Sequence, residues 1–113
     1  MTFITDYPLT SRADVTTDSA ARYAKQLVSH LGRRVEFVTD GETHTATIGD
    51  STARIAVGDG VLTLLAAART EPELARIEHA LGNHLERFGQ RAELTVSWDR
   101  PAPSTDLATG PTK

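Results

Sequence analysis

The chain has no cysteine, one tryptophan, few aromatic residues and no excess of positive charge. Without cysteine there are no disulfides, thiolate metal sites, iron–sulfur clusters or cysteine nucleophiles, and a reducing, cytoplasmic setting is expected. The formal net charge is −3. Nucleic-acid binding rests on clustered Lys and Arg that displace counterions from phosphates. The one basic doublet, Arg33-Arg34, falls at a turn, where its charges solvate the chain, so no nucleic-acid partner is expected. The longest apolar-rich run, Val61 to Ala68, falls far short of the ~20 residues that span a bilayer. The first residues, Met1 to Asp6, lack the basic segment and apolar core of a signal peptide. Membrane association is therefore not expected either.

Catalytic signatures are missing too. There is no Gly-x-Ser-x-Gly elbow and no phosphate-cradling glycine loop, since Gly58-Asp59-Gly60 reads as a hairpin turn. The helix acids Glu71, Glu73, Glu78 and Glu86 are surface residues by spacing. No cofactor and no catalytic residue are assigned on this basis.

What is present is an ordinary globular balance, 39% apolar and 24% charged over 113 residues, which suits one domain. Residues 1–8 carry no period and read as a loose lead-in. Leu9 to Val15 alternates as a strand. Thr17-Asp18-Ser19 offers N-cap side chains, and Ala20, Ala24, Leu27, Val28 and Leu31 recur at helical spacing up to Gly32. Four strands follow, at 34–38, 43–48, 52–57 and 61–68, separated by the turn pairs Asp40-Gly41, Gly49-Asp50 and Asp59-Gly60. Links this short predict an antiparallel meander.

Thr70-Glu71-Pro72-Glu73 fits a capping box with proline in the first turn. Leu74, Ile77, Leu81, Leu85 and Phe88 then form an apolar stripe ending at Gly89. Leu94, Val96 and Trp98 alternate with Thr95 and Ser97 as a last strand. From 101 to 113 the chain is rich in Pro, Ser, Thr and Gly and is expected to be a disordered tail.

The predicted order, β-α-β-β-β-β-α-β over residues 9–100, gives an α+β fold with two helices packed on one face of an antiparallel sheet. The topology resembles the TATA-binding-protein-like arrangement, a likeness of fold that carries no implication of DNA binding. The opposite sheet face, with Thr45, Thr47, Arg54, Thr63, Thr95 and Ser97, is either solvated or the surface of a homodimer.

Two stretches carry a family resemblance. The first is Ala21-Arg22-Tyr23-Ala24-Lys25-Gln26-Leu27 with Ser29-His30. The second is Gly82-Asn83-His84-Leu85-Glu86-Arg87-Phe88 followed by Leu94-Thr95-Val96-Ser97-Trp98-Asp99-Arg100. Together they resemble the bacterial family called domain of unknown function 2218, over residues 9–100. The resemblance implies a small α+β domain with no established activity. It also implies an accessory role near siderophore or iron handling, because such domains occur joined to siderophore-interacting flavin reductases; a protein of that type is one partner it implies. The chain departs from the family in having Val28 near a common cysteine and Arg33-Arg34 where His-Lys is frequent. No thiol or metal role is therefore carried over to those positions.

Four residues stand out as ligand-binding candidates at one end of the helix pair. His84 lies at the edge of the second apolar stripe, where a half-buried ring either hydrogen-bonds at the helix–sheet boundary or meets a ligand. His30, in the last turn of the first helix, interacts favourably with the helix end. Tyr23 is seven residues earlier on the same face. Arg87 suits a carboxylate or phosphate, or else a surface ion pair. The histidines at 30, 44, 79 and 84 show no i, i+4 pair, so no metal site is predicted. The expected function is a non-catalytic binding or accessory module for a small ligand. The alternatives are a small enzyme with His84 as general base and Arg87 holding an anionic substrate, or a structural dimerisation module.

Overall fold

The computed structural model describes residues 8–100. The expected tail, 101–113, and all of the expected lead-in except Pro8 lie outside that range. Strand β1 (Leu9–Thr16) leads into helix α1 (Ala20–Leu31). Strands β2 (Phe37–Asp40), β3 (Thr43–Ile48), β4 (Ser51–Gly58) and β5 (Val61–Ala68) follow, then helix α2 (Glu71–Phe88) and a short 3-10 turn (Gln90–Ala92). The strands form one antiparallel sheet in the order β1-β5-β4-β3-β2. Gly41, Gly49 and Gly60 take positive φ at the three hairpin turns, a conformation that costs glycine nothing.

The register puts the apolar half of each strand on one face. Ala13, Leu64 and Ile55 lie in one cross-strand row, with Val15 and Leu62 in the next, and all five are buried. Both helices pack on this face, with their main contacts on β1, β4 and β5. Helix α1 contributes Ala20, Ala24 and Leu27, and α2 contributes Leu74, Ile77, Leu81 and Leu85. Each fully buried leucine or isoleucine stabilises the fold by about 1.5–3 kcal/mol relative to an exposed one. The α+β fold class and the placement of both helices agree with the periodicity of the sequence. No helix among the described residues is long and apolar enough to cross a membrane.

Three local features differ from expectation. Gly32 stays right-handed, with φ −64°, and the chain turns once more as Arg34 and Val35 donate to the Leu31 carbonyl. Strand β2 therefore begins at Phe37 rather than Arg34. At the start of α1, Thr17 Oγ1 accepts the Ser19 N–H at 3.1 Å, while Ser19 at the N-cap makes no side-chain cap.

The third difference is the expected last strand, 94–98, which is extended but joins no ladder. It reaches the sheet only through the antiparallel bridge Arg12↔Asp99, with backbone hydrogen bonds of 2.9 and 2.8 Å. Its alternation is genuine: Leu94, Val96 and Trp98 are half-buried, while Thr95 and Ser97 are exposed. The surface they cover belongs largely to α2. Glu86 accepts the Val96 N–H at 2.8 Å, a bond that a neighbouring strand would otherwise provide. Thr95 and Ser97 accordingly lie off the sheet face to which the alternation assigned them.

This C-terminal strap accounts for the glycines of α2. A Cβ on Gly82 would stand 3.0 Å from Trp98 Nε1 and 3.3 Å from Val96 Cγ1, so the strap rather than the sheet requires the small residue. Arg100 fixes the far end with a bidentate grip on Glu78 (2.7 and 2.8 Å) and a third bond to Glu71 at 2.6 Å. The Arg100 hydrogen bonds to Glu78 outweigh partial burial and hold the Glu78 carboxyl below its ordinary pKa.

At Gly89 an added Cβ would fall inside van der Waals contact of Leu94 Cγ and Cδ1. Gly89→Ala should therefore displace the strap and destabilise the domain by about 1–3 kcal/mol, the usual range for overpacking. Thermal unfolding followed by the fluorescence of the sole tryptophan, Trp98, checks this. An unchanged melting temperature would show that the strap is loosely held.

Candidate functional site

The helices cover less of the sheet than its full width, and the β2–β3 hairpin extends beyond them. At this margin lies a cavity of about 430 Å³, within the range of small-molecule sites, whose lining includes two small side chains, Ala53 on β4 and Ala80 on α2. Its walls are apolar, formed by Leu31, Val35, Phe37, Ile48, Ala53, Ile77, Ala80 and Leu81. Four further lining residues bring polar or charged groups: His30, Arg34, Arg76 and His84. Among the described residues no acid lines it. His30, Arg34 and Arg76 are exposed, which sets them at the mouth.

His84 and His30 come from different helices and meet at the seam, with ring centroids 4.6 Å apart and planes tilted by 47°. Phe88 backs both rings, at 5.8 Å edge-on to His30 and 6.4 Å from His84. His84 Nδ1–H donates to the Ala80 carbonyl at 2.6 Å. That bond fixes the ring orientation and leaves Nε2 as the acceptor of the neutral imidazole. The His30 pKa lies below the ordinary 6.5. Loss of hydration at the ring is the main cause, followed by repulsion from His84, Arg33, Arg87 and Arg34.

Tyr23 and Arg87 are not at this mouth. They line a shallower hollow with Arg22, Gln26, Phe88 and Arg91. A third hollow lies between the two, lined by Arg22, Lys25, Gln26, Ser29, His30, Arg33 and Phe88. The four candidate residues thus separate into two pairs: the histidines at the cavity, and Tyr23 with Arg87 in a hollow that shares Phe88. His79 is exposed on α2 beside the strap. His44 bonds Thr39 Oγ1 through Nδ1 at 2.8 Å on the cross-strand pair. Among the described residues no three His, Cys, Asp or Glu side chains form a group able to hold a metal.

Sequence reasoning did not single out Arg34, Arg76 or Phe88 as site residues. The signal for Arg34 was the Arg33-Arg34 doublet, whose nearness to an apolar cavity depends on the extra turn after α1. Arg76 neighbours Ile77 in sequence, but only the missing strand-side cover turns it towards a cavity.

A folded-state pKa below the unfolded value means that the unfolded chain binds more protons at His30. The stability linked to His30 is therefore complete above pH 6.5 and declines as the pH falls below it. In a proton NMR titration of the imidazole Hε1 signals, His30 should titrate below 6.5 and move upward in His84→Ala, which removes the neighbouring ring. A His30 midpoint that ignores this substitution would mean that the rings do not meet.

Three comparisons bear on this architecture. The NMR structure of PA4090 from Pseudomonas aeruginosa is similar, with a TM-score of 0.69 and 26% sequence identity, covering 80% of this chain and 95% of that one. Among curated proteins none matches the chain. The model of a family described as an uncharacterised protein conserved in bacteria, domain of unknown function 2218, matches residues 12–99. With a match over most of its length and both helix motifs inside it, the chain belongs to that family.

Proposed function

We propose that the domain is a non-catalytic binding module, and that its ligand is a small amphipathic anion held in the cavity beneath β2–β4. The carrying observation is the cavity itself: apolar walls, a mouth with two arginines and two histidines, and no acid among its lining residues. An apolar chain would gain about 25 cal/mol for each Å² removed from water. An anionic end would meet Arg34 or Arg76, whose planar guanidinium groups suit carboxylates and phosphates.

The catalytic alternative receives less support from the geometry. His84 Nε2 is placed to accept a proton, but Arg87 lines a different hollow, so an anion held by Arg87 would not sit in the cavity that His84 lines. A siderophore-linked role, implied by family association, suits the same cavity if the ligand is an anionic chelator that brings its own iron.

Decanoate is a suitable probe, with decanol as the uncharged control. Isothermal titration calorimetry should show decanoate binding with a negative heat-capacity change, the mark of apolar burial. Ala80→Leu, which fills the cavity with a good helix former, should abolish it. Arg34→Gln combined with Arg76→Gln should weaken it about tenfold, in line with the loss of one charge-assisted hydrogen bond. A ferric catecholate that displaces decanoate would assign the siderophore class. Failure of decanoate to bind, or binding unaffected by Ala80→Leu, would overturn the reading.

A further inference from the structure

The cavity accounts for Arg34 and Arg76 but leaves a second set of cations unused. Arg22 and Lys25 on α1, Arg33 after it, Arg87 on α2 and Arg91 in the 3-10 turn line the two adjoining hollows. Among the described residues no acid lines either hollow. Among the described residues, none of these five cations takes part in an ion pair. In a chain of net charge −3 this is segregation of charge rather than general basicity, because acids greatly outnumber bases over the rest of the chain. Unpaired like charges held together repel one another, so their natural complement is an anion.

The hollows also connect with the cavity. His30 lines both the cavity and the hollow of Lys25 and Arg33, and Phe88, in ring contact with His30 and His84, lines both hollows. From Arg22 to His30 the helix rise spans roughly 12 Å, and Arg33 lies beyond the end of the helix. A single carboxylate at Arg34 would use none of this length, whereas several negative charges spaced along a polar head would use it all.

We propose that the ligand is an apolar chain carrying a polyphosphate head, the chemistry of an acyl thioester of coenzyme A. The chain occupies the cavity, the linker crosses the seam at His30 and Phe88, and the phosphates lie on the basic hollows. The proposal rests on the reading of the cavity given above.

The test compares decanoate, decanoyl-coenzyme A and free coenzyme A by calorimetry at low and raised salt, with the wild-type chain and with Arg22→Gln/Lys25→Gln/Arg91→Gln. Decanoyl-coenzyme A should bind at least about tenfold more tightly than decanoate, and that advantage should shrink with salt, as screening of exposed charges requires. The triple substitution should bring the thioester down to the affinity of decanoate or below it, since the thioester carbonyl carries no charge for Arg34 or Arg76. If decanoate binds but the thioester binds no better, or if the triple substitution leaves its advantage intact, the polyphosphate assignment is wrong and the cavity reading stands. Free coenzyme A binding as tightly as the thioester would also overturn it, by separating the hollows from the cavity. If decanoate does not bind, the cavity reading itself fails, and the assignment of the thioester that rests on it fails with it, whether or not the thioester binds.

Discussion

Two α-helices side by side, each about 10 Å across, cover roughly four strands spaced about 4.8 Å apart. This sheet has five. The helices settle over β1, β5 and β4, where β1 lies beside β5 and the inner face carries Leu62, Leu64 and Ile55. The β2–β3 margin is left with only partial cover. Everything proposed for the molecule follows from that mismatch in width. It produces the cavity, sets the last turn of α1 against the last turns of α2, and brings two histidines from separate helices to one mouth.

Much of this was legible in the sequence because local signals agreed with one another. Thr70 and Pro72 marked the start of α2, its apolar stripe gave its buried face, and Asp40-Gly41 and Asp59-Gly60 placed the hairpins. The segment around Trp98 shows the limit of such reasoning. A period of two says that a chain is extended with one face buried, but it does not say what does the burying. Here the cover is a helix, and the chain needed Gly82 and Gly89 to approach it. The seam was legible only in part. A stripe-edge position placed His84 at the helix–sheet boundary, and the last turn of α1 placed His30 at the same end of the helix pair, but their meeting depends on how the helices cross, which no local spacing encodes. The cavity depends on absent volume at Ala53 and Ala80, and alanines in a core pattern carry no signal of their own.

The charge pattern adds a second layer. The pairing of Arg100 with Glu78 and Glu71 locks the strap to α2 and uses acids on the side of the helix away from the cavity. Of the unpaired cations, Arg33, Arg87 and Arg91 lie at or just past the C-terminal ends of the helices, where helix dipoles favour positive charge, whereas Arg22 stands in the first turn of α1. Stability can explain one such residue per helix. It does not explain a surface that runs on from an apolar cavity and, among the described residues, holds no acid; the proposed anion would.

The account depends most on the contact between His30, His84 and Phe88, since the cavity mouth and the link to the basic hollows both require it. Its most direct test is a carbon-edited NOESY spectrum of the free protein with the three rings assigned. Cross-peaks between the imidazole protons of His30 and His84, and from His30 to the ring of Phe88, are the predicted result. A His84 ring that shows cross-peaks only within its own helix would contradict the seam, and with it the site.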